Sequence, residues 1–318
     1  MTAVEHAYRL LSTGGVGPAL VELERGASAS DPQSLLELGV WHLEGRYVAR
    51  DLRRSRDYFR RAGELGELTA ENVYIAFLAN GVGGDADWSG AKARLERLAR
   101  SHAGAARQLD LVENMALTSE GDPEVRPEGR QQSSSPDAWT FDDFFSAAEC
   151  RYLIDAAAPL LQPSVIVDPT TGSLRPHPIR TSDGAAFPWV SEDLVIGALN
   201  RRIAAASATE LGCGEPLQVL RYRPGQEYRP HLDALPSGDN QRILTMLVYL
   251  NDDYTGGETL FTRTGLKFPG GAGNGLLFRN GEPGGAPDEQ AEHAGLPVTA
   301  GEKYLASRWI RERPMIAT

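Results

Sequence analysis

The feature that most limits the fold of this chain is a repeat with a period near 36 residues, confined to its first third. The segment 38–66, LGVWHLEGRYVARDLRRSRDYFRRAGELG, lies over 73–101, VYIAFLANGVGGDADWSGAKARLERLARS. Gly45 falls on Gly81, Asp51 on Asp87 and Phe59 on Leu95. Each copy reads as a helix, a Gly-bearing turn and a second helix. A lone helix pair cannot bury its apolar face, so copies must stack on one another. An ordinary helical bundle with chance similarity is the plainer alternative. The residues around the repeat, up to about position 115, keep the same apolar spacing.

The texture then changes. Residues 118–138, TSEGDPEVRPEGRQQSSSPDA, have linker composition and set the expected boundary. A helix is expected to begin near Ser146. Beyond it, short runs rich in β-branched and aromatic residues (SVIVD, LQVLRY, RILTMLVYL, GLLFRN, EKYLASRWI) are punctuated by Gly, Pro, Asn and Asp. Many short strands argue for a sandwich or barrel, with one helical stretch at 191–208 packed outside a sheet. The expected fold class is therefore α + β with two domains. All-α helical repeats occupy 1–117 and a linker 118–138. A sandwich or barrel with flanking helices, of which the double-stranded β-helix (jelly roll) is one kind, occupies 139–318.

Bulk numbers remove some function classes. A chain of 318 residues, 41% hydrophobic and 24% charged, is ordinary globular material long enough for two cores. Its net charge of −11 repels phosphate backbones, so no nucleic-acid partner is expected. No membrane span and no signal peptide are evident. Two cysteines, Cys150 and Cys213, read as reduced buried thiols, and a cytoplasmic location is expected.

The stretch GQEYRPHLDALPSG places His231 and Asp233 two apart. At a strand end such a pair aims an imidazole and a carboxylate at one point. Two polar residues in a turn would look the same. His293, in QAEHAGLPV, is the best third ligand if a neighbouring strand delivers it there. Two histidines and a carboxylate on one face of an octahedron form the facial triad of non-haem Fe(II) oxygenases, which leaves positions open for a bidentate cosubstrate and O2. The remaining histidines make no comparable set: His6, His42 and His102 read as helix-face residues and His177 as a loop residue. Lys303, in TAGEKYLASRW, follows His293. A lysine inside a barrel is costly unless it meets an anion, and the far carboxylate of 2-oxoglutarate is such an anion. An edge-strand surface lysine is the plainer reading.

Two resemblances follow from these pieces. The Leu-Gly-x-x-Trp/Tyr…Gly…Asp…Ala-x-x-Gly texture of the first part resembles Sel1-like repeats, relatives of tetratricopeptide repeats. The run 139–314 resembles the prolyl 4-hydroxylase family of Fe(II)/2-oxoglutarate dioxygenases through IRTSDGAAF, LQVLRYRPGQEYRPHLD, QRILTMLVYLND, GGETLF and HAGLPVTAGEKYLASRW, in that order. The resemblance implies hydroxylation of a C–H bond, foremost in a prolyl residue of a peptide or protein, coupled to decarboxylation of 2-oxoglutarate to succinate and CO2. It implies His231, Asp233 and His293 as iron ligands, and Lys303, Tyr222 and Thr259 as cosubstrate contacts. It implies Tyr228, Arg242, Trp309 and Arg180 near the substrate, and a mobile cover between Gln162 and Pro188. Ascorbate dependence follows from the resemblance alone. Leu232 departs from the family by standing where an aromatic is common. Arg311 also departs, standing where some members place a histidine.

Other readings remain open on sequence. The same chemistry can act on a free amino acid, a small metabolite or a non-proline side chain, because substrate choice lives in loops. A repeat scaffold carrying an inactive oxygenase-like binding domain is a reading of another class, against which the complete ligand set argues. Zinc can also occupy two histidines and a carboxylate. Under the enzyme reading, the repeats serve to recruit a peptide or protein substrate.

Overall fold

The computed structural model describes residues 1–315 except 168–173, 177, 189, 191 and 236–238. Two compact units result: residues 1–121 with 189–197, and residues 122–188 with those from 198 onward.

In the first unit the described helices are α1 (Ala3–Thr13), α2 (Val16–Ser28), α3 (Pro32–Glu44), α4 (Leu52–Glu64), α5 (Leu68–Asn80), α6 (Trp88–Ala99) and α7 (Ala103–Glu113). The repeat read in sequence is a repeat of geometry. Gly45 ends α3 and Gly81 ends α5, each with φ of 70°, a left-handed conformation that costs a residue without Cβ least. Asp51 then caps α4 by accepting from the Arg54 N–H, and Asp87 caps α6 by accepting from the Gly90 N–H. Each capping residue also donates its own N–H back across the turn, Asp51 to the His42 carbonyl at 2.9 Å and Asp87 to the Leu78 carbonyl at 2.7 Å. Phe59 and Leu95 are both buried. His6 and His42 stand on helices, with His42 buried, whereas His102 holds the N-cap position of α7 instead of a helix face. His177 lies outside the described residues.

The second unit starts with strands β1 (Arg130–Ser134) and β2 (Asp137–Phe141), followed by helix α8 (Ala147–Ala157). A capping box between Ser146 and Glu149 starts α8 where the sequence places it. Next come β3 (Gln162–Pro163), β4 (Val165–Val167), β5 (Leu174–Pro176), β6 (Asp183–Phe187), helix α9 (Leu194–Ser207), β7 (Leu217–Tyr222) and β8 (Tyr228–His231). The chain continues through β9 (Arg242–Tyr249), β10 (Thr255–Gly256), β11 (Thr259–Phe261), β12 (Lys267–Phe268), β13 (Gly275–Arg279), β14 (His293–Gly295), β15 (Val298–Ala300) and β16 (Lys303–Arg311).

Eight of these strands form one sheet in the order β1-β2-β13-β9-β16-β7-β6-β3, and four form a second in the order β12-β11-β14-β8. The core cluster draws Leu247, Tyr249, Leu276, Phe278 and Leu305 from the larger sheet and Phe261 and Phe268 from the smaller one. Two antiparallel sheets closing on a shared apolar layer make the jelly roll. The Ser- and Pro-rich stretch before residue 139 contributes β1 and the start of β2, and β2 joins β13 with Trp139 opposite Leu277. Exposed edge strands and linkers share a polar texture, so composition alone does not separate them. No helix among the described residues is long and apolar enough to cross a membrane.

Candidate metal centre

His231 ends β8 and His293 begins β14, and the two are directly opposite each other in the ladder. Asp233 lies beyond the end of β8, so it reaches the site from a bend instead of sharing a strand face with His231. The three side chains form a metal-capable group whose ligand atoms lie within 4.8 Å of one another. His231 Nε2 is 3.5 Å from Asp233 Oδ1, and His293 Nε2 is 3.7 Å from Asp233 Oδ2.

Both rings are held alike. His231 Nδ1 lies 2.8 Å from the Arg229 carbonyl, and His293 Nδ1 lies 2.9 Å from the Ala291 carbonyl. A carbonyl only accepts, so each Nδ1 carries a proton and each Nε2 is the ring nitrogen turned inward. Two imidazole nitrogens and a carboxylate then converge, a set that a cation can bridge. Burial pushes the His293 imidazole down to about 4 against the pull of Asp233, so the ring is neutral near pH 7. Burial alone would raise the Asp233 carboxyl, yet the group is held below the usual carboxylate range, with the Thr245 hydroxyl donating to it among the causes. Two imidazole nitrogens and an ionised oxygen fit a divalent transition metal. The ring of Tyr228 stacks on His231, with centroids 3.5 Å apart.

A pocket between the two sheets is lined by the triad together with Tyr222, Tyr228, Thr259, Lys303 and Trp309. Lys303 opens β16 directly opposite Tyr222 on β7, so the two share a face. It is 2% exposed, and burial lowers its amine to about 7, with Glu258 opposing. Lys303 Nζ donates to the Gly257 carbonyl at 2.6 Å and sits 5.1 Å from the centre of the Tyr249 ring. The Tyr249 hydroxyl donates to Thr259 Oγ1 at 2.8 Å. Burial holds the Tyr222 hydroxyl above its ordinary pKa.

Arg242 and Arg180 stand apart from this lining. Arg242 grips Glu215 with both Nε (2.6 Å) and Nη2 (2.8 Å), and its guanidinium lies 3.8 Å over the Trp309 ring. Arg311 binds the same Glu215 carboxylate. Arg180 bridges the backbone at Tyr228, with its guanidinium 5.7 Å over that ring. The predicted cover from Gln162 to Pro188 includes residues 168–173 and 177, which lie outside the described residues. At its far end Thr181 Oγ1 accepts from the Glu227 N–H at 2.9 Å.

Sequence reading missed Tyr249, Glu215, Thr245 and Asn280. Thr245 Oγ1 donates to Asp233 Oδ2 at 2.7 Å, and Asn280 Nδ2 donates to Thr245 Oγ1 at 2.9 Å. The signal available for Tyr249 and Thr245 was their shared face on one long strand, since they are four residues apart in RILTMLVYL. Nothing local marks Glu215 or Asn280.

Residues 217–311 match the model of the 2OG-Fe(II) oxygenase superfamily. Prolyl 4-hydroxylase 1 of Arabidopsis thaliana is 36% identical over 208 residues, covering 59% of this chain and 73% of the relative. A crystal structure of the viral collagen prolyl hydroxylase of Paramecium Bursaria Chlorella virus-1 with 2OG is 31% identical, with a TM-score of 0.45, over 55% of this chain and 95% of that one. A Sel1 repeat protein from Oxalobacter formigenes is 24% identical, with a TM-score of 0.31, over 34% of this chain and 85% of its own. The relatedness to the plant enzyme, extending over most of that enzyme's length, places this chain in the prolyl 4-hydroxylase family of 2OG-Fe(II) oxygenases, which work with Fe(II), 2-oxoglutarate and O2.

Proposed function

We propose that this chain hydroxylates a prolyl residue in a peptide or protein, with His231, Asp233 and His293 holding Fe(II). The observation that carries the assignment is the meeting of three acceptor side chains at one end of a pocket whose lining also includes the buried amine of Lys303. In this reading the keto-acid end of 2-oxoglutarate meets the metal and its far carboxylate meets Lys303, with Tyr222 and Thr259 beside it. The bound metal supplies the oxidising chemistry, and one oxygen atom of O2 enters the C–H bond while the other leaves in succinate. The protein holds its partners in register and keeps water from the reacting centre.

The substrate side of the pocket is assigned to Tyr228 and Trp309. Trp309 supports this, because its indole Nε1 is buried with no hydrogen-bond partner among the described residues. A peptide carbonyl would accept from it. Arg242 and Arg180 then serve as backing for the two aromatic rings. The division of labour follows the two parts of the chain: the repeats within 1–117 recruit a polypeptide, and the jelly roll carries out the reaction. A cytoplasmic setting is supported by Cys150 and Cys213, which are free thiols and buried.

The test is a hydroxylation screen over proline-containing peptides. Succinate release that requires both Fe(II) and 2-oxoglutarate is expected, together with a mass gain of about 16 on proline, one oxygen atom. His231→Ala should abolish both. Turnover on a free amino acid with no peptide modified would overturn the prolyl assignment, and turnover unchanged in His231→Ala would overturn the ligand assignment.

A further inference from the structure

Outside the three metal-capable side chains, one hydrogen-bonded line has no role in the reading above. Asn280 follows β13, where its N–H donates to the Ile243 carbonyl at 2.8 Å. Thr245 lies in the middle of the neighbouring strand β9. Asn280, Thr245 and Asp233 are 1%, 0% and 5% exposed, so this line runs through the interior without water to substitute for a missing partner.

The direction of the line is fixed. An ionised carboxylate only accepts, so the Thr245 hydroxyl must point its proton at Asp233 Oδ2. The Thr245 oxygen then has only lone pairs left for Asn280, so the Asn280 amide must present its nitrogen, as it does. With the amide reversed, two acceptors would face each other. The Asn280 Oδ1 has no partner among the described residues, so nothing else on that side chain sets its orientation. One oxygen of Asp233 is thereby occupied, and the carboxylate cannot turn freely about its bond.

We propose that Thr245 and Asn280 are positioning residues for the metal centre. They hold Asp233 to single-oxygen ligation through Oδ1 and keep the remaining metal positions open for cosubstrate and O2. The proposal rests on the metal reading of His231, Asp233 and His293. Without this brace the carboxylate is free to swing to two-oxygen ligation or away from the site. Removing such outer partners of a metal ligand weakens metal binding by about 10–100-fold.

The experiment measures Mn(II) affinity of the full chain by titration calorimetry, without cosubstrate, in four proteins: unchanged, Thr245→Val, Thr245→Ser and Asn280→Asp. Val keeps the shape of Thr and loses the hydroxyl, Ser keeps the hydroxyl, and Asp replaces the amide donor with an acceptor. The expected result is a Kd about 10–100-fold higher for Thr245→Val and Asn280→Asp, with Thr245→Ser within a few-fold of the unchanged chain. Equal affinity in all four proteins would overturn the proposal. So would equal loss in Ser and Val, which would mean that packing is what matters. If Thr245→Val does not fold, the Ser and Asp variants decide: loss in Asp alone supports the brace, and no loss in Asp overturns it. If the unchanged chain itself binds no Mn(II), it is the metal reading that has failed.

Discussion

The Lys303 amine is buried in the pocket lining, and burial pulls its pKa down to about 7 against the opposing pull of Glu258. A carboxylate arriving beside it favours the charged form and raises the pKa again. The sign follows. Above pH 7 the empty pocket holds a mostly neutral amine, so 2-oxoglutarate binding must take up a proton, and below pH 7 the amine is already charged. Affinity for 2-oxoglutarate is therefore highest below pH 7 and falls as pH rises, by up to about tenfold per unit until the raised pKa is reached. At pH 8, calorimetry in buffers of different ionisation enthalpy should register uptake of about one proton, and Lys303→Ala should lose it along with most of the affinity. Binding with no net proton uptake would remove Lys303 as the carboxylate partner. At this scale the sequence was readable in where His231, His293 and Lys303 stand, the two imidazoles in one metal-capable group and the lysine buried in the pocket lining. It was opaque where the role exists only through a partner on another strand. Glu215 acquires its role from Arg242 and Arg311, and Thr245 from Asp233 and Asn280.

At the level of elements, the two turns between α3 and α4 and between α5 and α6 are built from the same parts: a left-handed glycine, then an aspartate that caps the next helix. Asp51→Ala and Asp87→Ala should each cost about 1 kcal/mol of stability, since each removes one cap from a helix start. Urea unfolding of the two variants checks this, and a near-zero effect at either site would mean that water replaces the cap there. These elements were legible because a 3.6-residue period and a spaced Gly and Asp are local signals. The strand half was legible in its long members, β7, β9, β13 and β16, whose apolar runs match the stretches read as strands. It was less so at its margins. β1 reads as linker because an exposed edge strand has no buried face to impose alternation. Asp233 reads as part of a strand because a spacing of two fits both a strand and the bend that it occupies.

For the whole molecule, the helical repeats and the jelly roll pose the question of what a repeat surface adds to an oxygenase. Stacked helix pairs offer extended surfaces on which a polypeptide can lie. A peptide substrate long enough to reach well past the pocket, with a photoreactive group at its distant end, should crosslink to residues within 1–117 of the full chain, as read by mass spectrometry. Crosslinks confined to 139–318 would overturn the recruiting role. A sandwich or barrel was foreseeable from punctuation and strand length, and the jelly roll among these from the family resemblance. The pairing of β8 with β14 that sets His231 against His293 was not, since register across a sheet is decided by three-dimensional packing and not by neighbours in the chain.

The bracing of each imidazole by a carbonyl two positions earlier on its own chain has a broader implication. The aim of the two nitrogen donors is set by main-chain atoms that every amino acid carries. Replacing the exposed Arg229 with another residue leaves its carbonyl in place. Side chains around the mouth are therefore free to be recast for a different target polypeptide, while the oxidising centre keeps its shape.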